Sequence, residues 1–297
     1  MMFYSMIWTM SFLTELRLAD EVTLEKKLDL RVLSLGAGVQ SSTLIFKLLE
    51  NEIKPVDIAI FADTGNEPKE VYEWLEYLKK LTKNIIDIEV VRNEKNTGNI
   101  ITDILSPSGR FASIPVYTIN PDNTKGNTRR TCTSEYKIVP IQKKIREILG
   151  VNNLRGKAVE MVMGISYDEI QRCKIPPNKW QINCYPFINS KITRDDCKHW
   201  VSHSQYKQPP RSACIICPYH RNEEWSHLKN NYPEEFKQAV WFDEQLRSNK
   251  ESQFINKLDG ELYLHDQRKP LKDVNFDTVK EKQYNLFDDE CEGMCGI

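Results

Sequence analysis

The sequence predicts an α/β protein in which helices cover both faces of a mostly parallel sheet. Short apolar runs, rich in branched side chains, alternate along the first half of the chain with longer segments whose apolar residues recur at helical spacing. The connections between these segments are short, and glycine or proline marks most of them. This alternation is typical of parallel sheets, whose ligands bind beyond the carboxyl ends of the strands.

The individual elements follow from these patterns in chain order. The first strand ends at a glycine-containing turn, and the helix after it carries Leu44 and Leu48 on one face. In the second helix Val71, Trp74 and Leu78 share a face. Lysines near the end of this helix interact favourably with the negative end of its dipole. Strands are predicted at residues 30–35, 57–62, 85–91 and 159–164. Helices are predicted at residues 40–50, from 66–68 onward, at 137–149, near 223–230 and at 233–248.

These elements divide the chain into four parts. The α/β unit is predicted to span residues 30–172, after an N-terminal arm over residues 1–29. Residues 93–130 are polar and contain several prolines and glycines, which predicts a variable lid or substrate loop, too long for a simple connection. A mainly helical, cysteine-containing C-terminal region is predicted for residues 173–287, followed by a flexible cysteine tail over residues 288–297.

Length and composition exclude several classes of protein. The chain has 297 residues, enough for one large or two modest domains, and 41 lysines plus arginines balance 42 acidic residues. A basic site therefore has to be local, because the whole molecule has no general attraction to nucleic acid or anionic membranes. No apolar run is long enough to span a bilayer, and the apolar start lacks the basic segment of a signal peptide. Eight unevenly spaced cysteines favour thiols in the reducing cytoplasm.

The first candidate site is the stretch Ser-Leu-Gly-Ala-Gly-Val-Gln-Ser-Ser-Thr over residues 34–43. Gly36 and Gly38 let the backbone approach an anion, and the following helix directs its N-terminal amides toward it. Ser41 and Ser42 add hydroxyl donors, so phosphate or sulfate is the natural ligand. The stretch lacks the lysine of a Walker P-loop and the full dinucleotide glycine pattern. A tight strand-to-helix turn without a ligand explains the residues equally well.

The second candidate site is the stretch Phe-Ala-Asp-Thr-Gly-Asn-Glu over residues 61–67. Asp63 and Thr64 follow the second strand, so the parallel sheet brings them beside the glycine turn. Together the two stretches outline a nucleotide crevice in which Asp63 holds a ribose hydroxyl or a magnesium ion. The alternative is that Asp63 caps a helix.

These stretches resemble the successive motifs of the phosphoadenosine phosphosulfate reductase family, within the adenine nucleotide alpha-hydrolase superfamily. Residues 130–141 resemble a third motif and residues 164–172 a fourth, so the resemblance covers residues 30–172 in order. It implies a Rossmann-like fold and an adenylated small-molecule substrate: phosphoadenosine phosphosulfate, adenosine phosphosulfate or ATP. In the family the first motif holds phosphate or sulfate oxygens and the second lies near the nucleoside. The implied nucleotide-binding residues are Ser34, Gly36, Gly38, Gln40, Ser41, Ser42, Asp63, Thr64, Gly65, Arg130, Lys137, Gly164 and Arg172, the last as an oxyanion clamp.

One departure from the superfamily affects the expected reaction. Gly-Val-Gln-Ser over residues 38–41 replaces the Ser-Gly-Gly-x-Asp-Ser loop of the ATP pyrophosphatases, which disfavours cleavage of magnesium-ATP. The leading hypothesis is therefore a sulfonucleotide reductase-like enzyme. The first alternative is an ATP-dependent sulfurtransferase that thiolates tRNA or introduces phosphorothioate into DNA, with a thiol or persulfide donor protein and with Cys132 or the tail carrying persulfide. The second is a non-catalytic adenine-nucleotide-binding module.

The cysteines suggest a metal centre. Cys214 and Cys217 form a Cys-x-x-Cys pair, whose tight turn can direct two thiolates at one metal ion. The best quartet adds Cys132 and Cys197. The resemblance implies a [4Fe-4S] cluster, which one branch of assimilatory reductases binds through an adjacent cysteine pair and a later Cys-x-x-Cys. Zinc suits four thiolates as well, and thiols that bind no metal are a further alternative.

The C-terminal tail contains the nucleophile candidate. In the reductases a mobile C-terminal segment with a Glu-Cys-Gly-type motif delivers a cysteine to the sulfate sulfur, and Cys295 is similar in position. Cys291 would resolve the adduct as a disulfide. The acidic neighbours of both cysteines raise a thiol pKa until the tail docks on a basic site, such as the cations near Cys132. The alternative is an unstructured end without function.

Overall fold

The computed structural model describes residues 27–95, 97–108, 114–176 and 178–277. Its strands are β1 (Leu30–Leu35), β2 (Ile58–Ala62), β3 (Asp87–Val91), β4 (Tyr117–Ile119), β5 (Lys125–Asn127), β6 (Val159–Met163), β7 (Gln181–Cys184) and β8 (Glu261–Tyr263). Five of them form a parallel sheet in the order β3-β2-β1-β6-β7. The other three form a small antiparallel sheet in the order β5-β4-β8.

The helices alternate with the strands of the large sheet. They are α1 (Val39–Leu49), α2 (Lys69–Leu81), α3 (Ile100–Leu105), α4 (Val139–Ile148), α5 (Pro186–Asn189), α6 (Arg194–Ser202), α7 (Asn222–Asn231) and α8 (Pro233–Ser248). A π-helical turn (Ser134–Ile138) leads into α4. The predicted strands and helices of the α/β unit are confirmed to within a few residues, and so are α7 and α8.

Both faces of the large sheet are apolar because alternate residues of each strand point in opposite directions. Leu33 and Phe61 are buried in one core cluster with residues of α1, α2 and α6. Val32 and Ile60, one position away, are buried in a second cluster with residues of α4. Helices therefore cover the sheet on both sides, and the predicted α/β class is confirmed.

The described part of the predicted lid or substrate loop over residues 93–130 contains secondary structure of its own. This segment contains α3 and the hairpin formed by β4 and β5, which pairs with β8 more than a hundred residues later. Ile100, Ile104 and Val116 are buried with residues of α7 and α8 in a third core cluster. The partners of this segment come from distant parts of the chain, and local sequence patterns carry no signal for such pairing.

The predicted end of the α/β unit at residue 172 is wrong. β7 lies beyond that boundary and pairs in parallel with β6, adding a fifth strand to the large sheet. Helix α6 then contributes Cys197 and Val201 to the core beside α1. The large sheet and its helices therefore extend at least to residue 202.

Several predictions concern residues outside the described part of the chain. They are residues 1–26 of the N-terminal arm and the whole tail, including Cys291 and Cys295. Within the described residues, no helix is long and apolar enough to cross a lipid bilayer.

Candidate functional site

Four loops leave the large sheet at one edge. Because β1, β2, β3 and β6 are adjacent and parallel, the residues that follow each of them meet at their carboxyl ends. These loops contain the predicted Gly36, Asp63 and Gly164, together with Arg92, which the sequence analysis did not single out. The candidate site is built from this edge.

The turn between β1 and α1 is buried and locally strained. Ala37 has a φ of 60°, whereas neither Gly36 nor Gly38 has a positive φ. The left-handed residue of the turn is therefore an alanine, so glycine freedom at positions 36 and 38 does not explain this turn. A non-glycine residue in this region costs about 1–3 kcal/mol, and such residues concentrate at functional sites. Gly38 precedes α1 and provides no side-chain cap, so the first amides of α1 remain the natural donors for an anion.

The hydroxyl groups after this turn have partners within the fold. Ser42 is fully buried, and its Oγ accepts a hydrogen bond from Trp74 Nε1 at 2.9 Å. Thr43 Oγ1 donates to the Val39 carbonyl at 2.7 Å, and Ser41 Oγ donates to the Gly38 carbonyl at 3.3 Å. The Ser42 hydroxyl therefore links α1 to α2.

Two of the predicted positions, 164 and 65, require glycine because backbone atoms of other loops lie too close for a Cβ atom. A Cβ at Gly164 would lie 2.9 Å from the Ser41 amide nitrogen and 3.1 Å from the Gln40 carbonyl carbon. Gly164 therefore lets the end of β6 touch the first turn of α1. Gly65 has a φ of 72°, and a Cβ there would lie 2.4 Å from the Gly98 carbonyl oxygen.

A buried polar network surrounds Gln40 in the first turn of α1. Its Nε2 donates to Glu169 Oε2 at 3.0 Å, and its Oε1 accepts from Arg194 Nη1 at 3.2 Å. Arg172 Nη1 lies 2.7 Å from Glu169 Oε2. The predicted clamp Arg172 therefore forms an ion pair with Glu169. The guanidinium groups of Arg172 and Arg194 thus lie beside the N-terminus of α1, near the Glu169 carboxylate and near Asp168, which accepts from the Arg194 amide at 2.9 Å. Guanidinium groups in this position can bind an anion.

The predicted ligand Asp63 accepts hydrogen bonds from several donors. It is 1% exposed and accepts from the Gly65 amide at 2.7 Å, from Tyr72 Oη at 3.0 Å, and from Arg92 Nε at 2.8 Å. Burial and the Asp63 carboxylate raise the pKa of Tyr72, while the hydrogen bond to Asp63 raises the pKa of Arg92. Asp63 thus holds β2, α2 and the residue after β3 together, and its carboxylate is already engaged by these groups.

Thr64 and Glu67 place a thiol at the same edge. Thr64 Oγ1 donates to Glu67 Oε1 at 2.8 Å and lies 3.1 Å from Cys214 Sγ. The Cys214 thiol is also 3.6 Å from Glu67 Oε1. Glu67 is 4% exposed, and burial raises its pKa although the charge of Lys137 acts in the opposite direction. Glu67 is not among the predicted site residues, although it is the last residue of the second motif.

A second network supports the loop that carries this thiol. The Ile215 amide donates to the Asn66 carbonyl at 2.9 Å, which docks the Cys-x-x-Cys loop on the loop after β2. His220 Nε2 lies 2.9 Å from the Cys214 carbonyl oxygen, and its Nδ1 lies 3.4 Å from Glu224. Burial acts to raise the pKa of Glu224, but the hydrogen bond from His220 and the charge of Arg211 lower it. The Cys-x-x-Cys loop is thus attached on both sides.

The structure does not bring the four predicted metal ligands together. Cys197 is fully buried in the core beside α1, where burial raises its pKa to about 12. Cys132 instead packs against the cluster that contains the residues between Cys214 and Cys217. Among the described residues, no group of three or more histidine, cysteine or acidic side chains is arranged to hold a metal ion. The quartet therefore does not fit a [4Fe-4S] or four-thiolate zinc centre.

The predicted cations lie around the same edge. Lys137 acts electrostatically on Glu67, and the Arg130 guanidinium lies 5.8 Å from the centre of the Tyr219 ring, next to the Cys-x-x-Cys loop. A cavity of about 500 Å³ opens beyond the carboxyl end of β3, a volume that fits a small ligand. Its lining includes Arg92, Lys143 and Lys144 together with Glu94 and Glu147, and it contains none of the predicted nucleotide-binding residues. Arg92 could have been found by the argument that identified Asp63, because it is the first polar residue after a predicted parallel strand.

Comparisons with known proteins bear on the fold alone. No protein-family model matches the chain, and no curated protein matches it. Among solved structures, the phosphate complex of phosphoadenylyl-sulfate (PAPS) reductase from Candida auris is similar, with a TM-score of 0.39 and 12% sequence identity. The match covers 65% of this chain and 81% of that chain. A likeness at this level concerns the fold and says nothing about the reaction of this chain.

Proposed function

We propose that this chain is an enzyme that binds an adenylated, sulfur-bearing nucleotide at the carboxyl edge of its large sheet and reduces it with cysteine thiols. The observation that best supports this proposal is the position of Cys214. Its thiol contacts Thr64 and Glu67, directly after β2, where a doubly wound sheet binds its ligand. A thiol at the ligand edge provides the chemistry that sulfur transfer requires.

The charges at this edge suit a nucleotide with several negative charges. Arg172 and Arg194 lie at the N-terminus of α1 with one carboxylate between them. Arg92 lines the cavity beyond β3, and its side chain is 55% exposed. These groups favour phosphate and sulfate oxygens. The adenine part of the substrate rests on the resemblance of the four motifs.

The proposed reaction begins with a thiolate that attacks the sulfur of the phosphosulfate. The bond between that sulfur and the phosphate oxygen breaks, the adenosine phosphate leaves, and the cysteine carries a sulfite group. A second thiolate then displaces sulfite and forms a disulfide, so two thiols supply the two electrons that reduce the sulfur. Cys295 is the predicted first thiol, with Cys291 as its partner; both lie outside the described residues.

Sulfite release tests this proposal. We expect the anaerobically purified full-length protein to release sulfite from phosphoadenosine phosphosulfate or adenosine phosphosulfate in the presence of dithiothreitol. Cys295→Ser should abolish the release, and unchanged turnover would reject Cys295 as the attacking thiol. Tight nucleotide binding with no turnover would instead select a non-catalytic module.

A binding measurement tests the site itself. We expect Arg172→Ala to weaken calorimetric binding of adenosine 3′,5′-bisphosphate at least about tenfold, the loss of one charge-assisted contact. Lys237→Ala is the matched control, because it removes an exposed cation from α8, far along the chain from the site. Equal affinities for the wild type and both variants would contradict the proposed site.

The structure gives no support to the ATP-dependent alternative. Gln40 occupies the position of the acidic loop residue, and its amide is held between Glu169 and Arg194. Magnesium prefers carboxylate and water oxygens, so this position does not suit magnesium-ATP. Pyrophosphate release that depends on added nucleic acid would overturn this conclusion.

A further inference from the structure

We infer that Cys214 and Cys217 form a reversible dithiol–disulfide couple that supplies electrons at the carboxyl edge of the sheet. The existence of this couple does not depend on the proposed function, whereas its role in sulfite release does. The inference replaces the predicted use of both residues as half of a four-cysteine metal centre.

The backbone between the two cysteines has the geometry that a disulfide needs. The Cys217 amide donates to the Cys214 carbonyl at 2.9 Å, so the two residues are the first and last of a tight turn. In such a turn the two Cα atoms lie within about 7 Å, and disulfides join Cα atoms about 4.4–6.8 Å apart. Ile216, inside the turn, is fully buried, which fixes the turn in the third core cluster.

The two thiols differ in their exposure to solvent, as the attacking and resolving thiols of a redox couple do. Cys214 is half-buried and lies beside the Thr64 hydroxyl, at the ligand edge, whereas Cys217 is 7% exposed. An incoming disulfide or sulfur adduct therefore reaches Cys214 first. Cys217 is then placed to attack Cys214 from inside the fold, where external thiols have little access.

The described residues do not form the predicted four-cysteine metal centre around this pair. The predicted third and fourth ligands are Cys132 and Cys197, and Cys197 belongs to the separate core beside α1. The described residues contain no set of three metal-binding side chains. The tight turn and the different exposure of its two cysteines therefore favour thiol–disulfide exchange over the predicted quartet.

The couple balances the proposed reaction. In this reaction Cys214 acts as the second thiol, in place of the predicted Cys291. The Cys214 thiolate attacks the sulfur atom of the cysteine that carries the sulfite group, the bond between that cysteine sulfur and the sulfite sulfur breaks, and sulfite leaves. The Cys217 thiolate then attacks Cys214 Sγ, which breaks the mixed disulfide and returns the first cysteine as a thiolate. Two thiols have lost two protons and two electrons, and the sulfur has passed from the sulfate to the sulfite oxidation state. An external dithiol reduces the Cys214–Cys217 disulfide for the next turnover.

A redox titration of the full-length protein tests the couple directly. The protein is equilibrated in buffers of reduced and oxidised dithiothreitol, alkylated under denaturing conditions and digested with trypsin. Cleavage after Arg211 and Arg221 yields residues 212–221, which contain Cys214 and Cys217 and no other cysteine. We expect this peptide to pass from two alkyl groups to none in one two-electron step, with the loss of two hydrogen masses. Separate loss of single alkyl groups, or constant double alkylation, would overturn the inference.

An internal control and a variant distinguish the couple from a metal site. Residues 180–191 form a tryptic peptide with Cys184 alone, which should remain alkylated at every potential. Cys197→Ala should leave the titration of residues 212–221 unchanged, because Cys197 lies in another core. Stoichiometric zinc or iron that is lost in both Cys197→Ala and Cys214→Ser would overturn the inference.

Activity of Cys217→Ser tests the role of the couple. We expect at least a tenfold lower rate of sulfite release with dithiothreitol, with the affinity for adenosine 3′,5′-bisphosphate unchanged. An unchanged rate would overturn the role in electron supply. Absence of nucleotide binding by the wild type would reject the proposed function, and the titration would still report on the couple.

Discussion

The turn after β1 and the loop after β2 leave the sheet at the same edge, yet they are built differently. In the first, residues 36–43 are all buried, and the hydroxyls of Ser41, Ser42 and Thr43 bond to neighbouring residues. In the second, Glu67 is buried beside the half-buried thiol of Cys214. The glycine turn is the more recognisable motif, but it is the loop after β2 that contacts the Cys214 thiol of the Cys-x-x-Cys loop.

This difference separates scaffold from chemistry within one site. Around the turn after β1, close packing and internal hydrogen bonds determine the residue types. The groups that favour an anion there are the guanidinium groups of Arg172 and Arg194, near Gln40. Around the loop after β2, the buried carboxylate of Glu67 lies beside the half-buried thiol of Cys214. Substitutions at the turn after β1 should therefore mainly lower the free energy of unfolding. Substitutions at the loop after β2 should mainly change the charge of the site and the reactivity of its thiol.

The largest expected effect is that of Gly164→Ala. A methyl group there meets the backbone of Ser41 at 2.9 Å, so β6 and α1 have to separate. We expect the free energy of unfolding in urea to fall by about 3 kcal/mol, as for overpacking against a rigid neighbour. Gly150→Ala is the matched control: its φ is 62° but no atom lies within 4 Å, so the loss should be about 1 kcal/mol. Equal losses of stability in the two variants would show that close backbone packing is not the reason for a glycine at position 164.

The next effect is that of Arg92→Ala. The variant leaves the Asp63 carboxylate, 1% exposed, without its guanidinium partner. Because the Arg92 side chain is itself 55% exposed, we expect a loss of about 2 kcal/mol in the free energy of unfolding, below the value for a fully buried pair. Lys79→Ala breaks a surface ion pair with Glu76 and should have a much smaller effect. Equal effects would contradict the structural role of the Asp63–Arg92 pair.

A smaller effect is expected for Ser42→Ala. It leaves the buried Trp74 indole N–H without its acceptor, which should lower the free energy of unfolding by about 1 kcal/mol. Ser248→Ala, which removes a hydroxyl at the exposed end of α8, is the matched control and should change little. Unchanged stability together with a tenfold loss of nucleotide affinity would show that Ser42 binds the ligand instead of attaching α1 to α2.

The smallest change is a pH dependence at Glu67. Burial raises the pKa of this carboxyl in the folded state, so the folded protein binds its proton more tightly than the unfolded chain does. Its contribution to stability is complete below the unfolded pKa and is lost as the pH rises through the folded pKa. The free energy of unfolding of the wild type, relative to Glu67→Gln, should therefore fall with rising pH. The Glu76→Gln control should slope in the opposite direction, because the hydrogen bond from Lys79 lowers the pKa of Glu76.

The comparison also shows which parts of the site are readable from sequence. Asp63 and Gly164 were located correctly at the carboxyl edge, because they directly follow strands with clear apolar patterns. Cys197 was grouped with Cys214 because they are close in sequence, but the structure buries them in different parts of the fold. Sequence proximity predicts spatial proximity only within one element, and Cys197 lies in α6 whereas Cys214 lies in the Cys-x-x-Cys turn.

Local periodicity was enough to determine the α/β class, the alternating strands and helices, and the edge where the loops converge, because each of these depends on residues within a few positions of one another. Tertiary structure alone decided that Ile100, Ile104 and Val116 pack with the C-terminal helices, that β7 extends the large sheet, and that Cys214 contacts Glu67. These contacts form between segments up to about 150 residues apart, where the burial of apolar surface in the assembled core selects the partner and the local pattern does not.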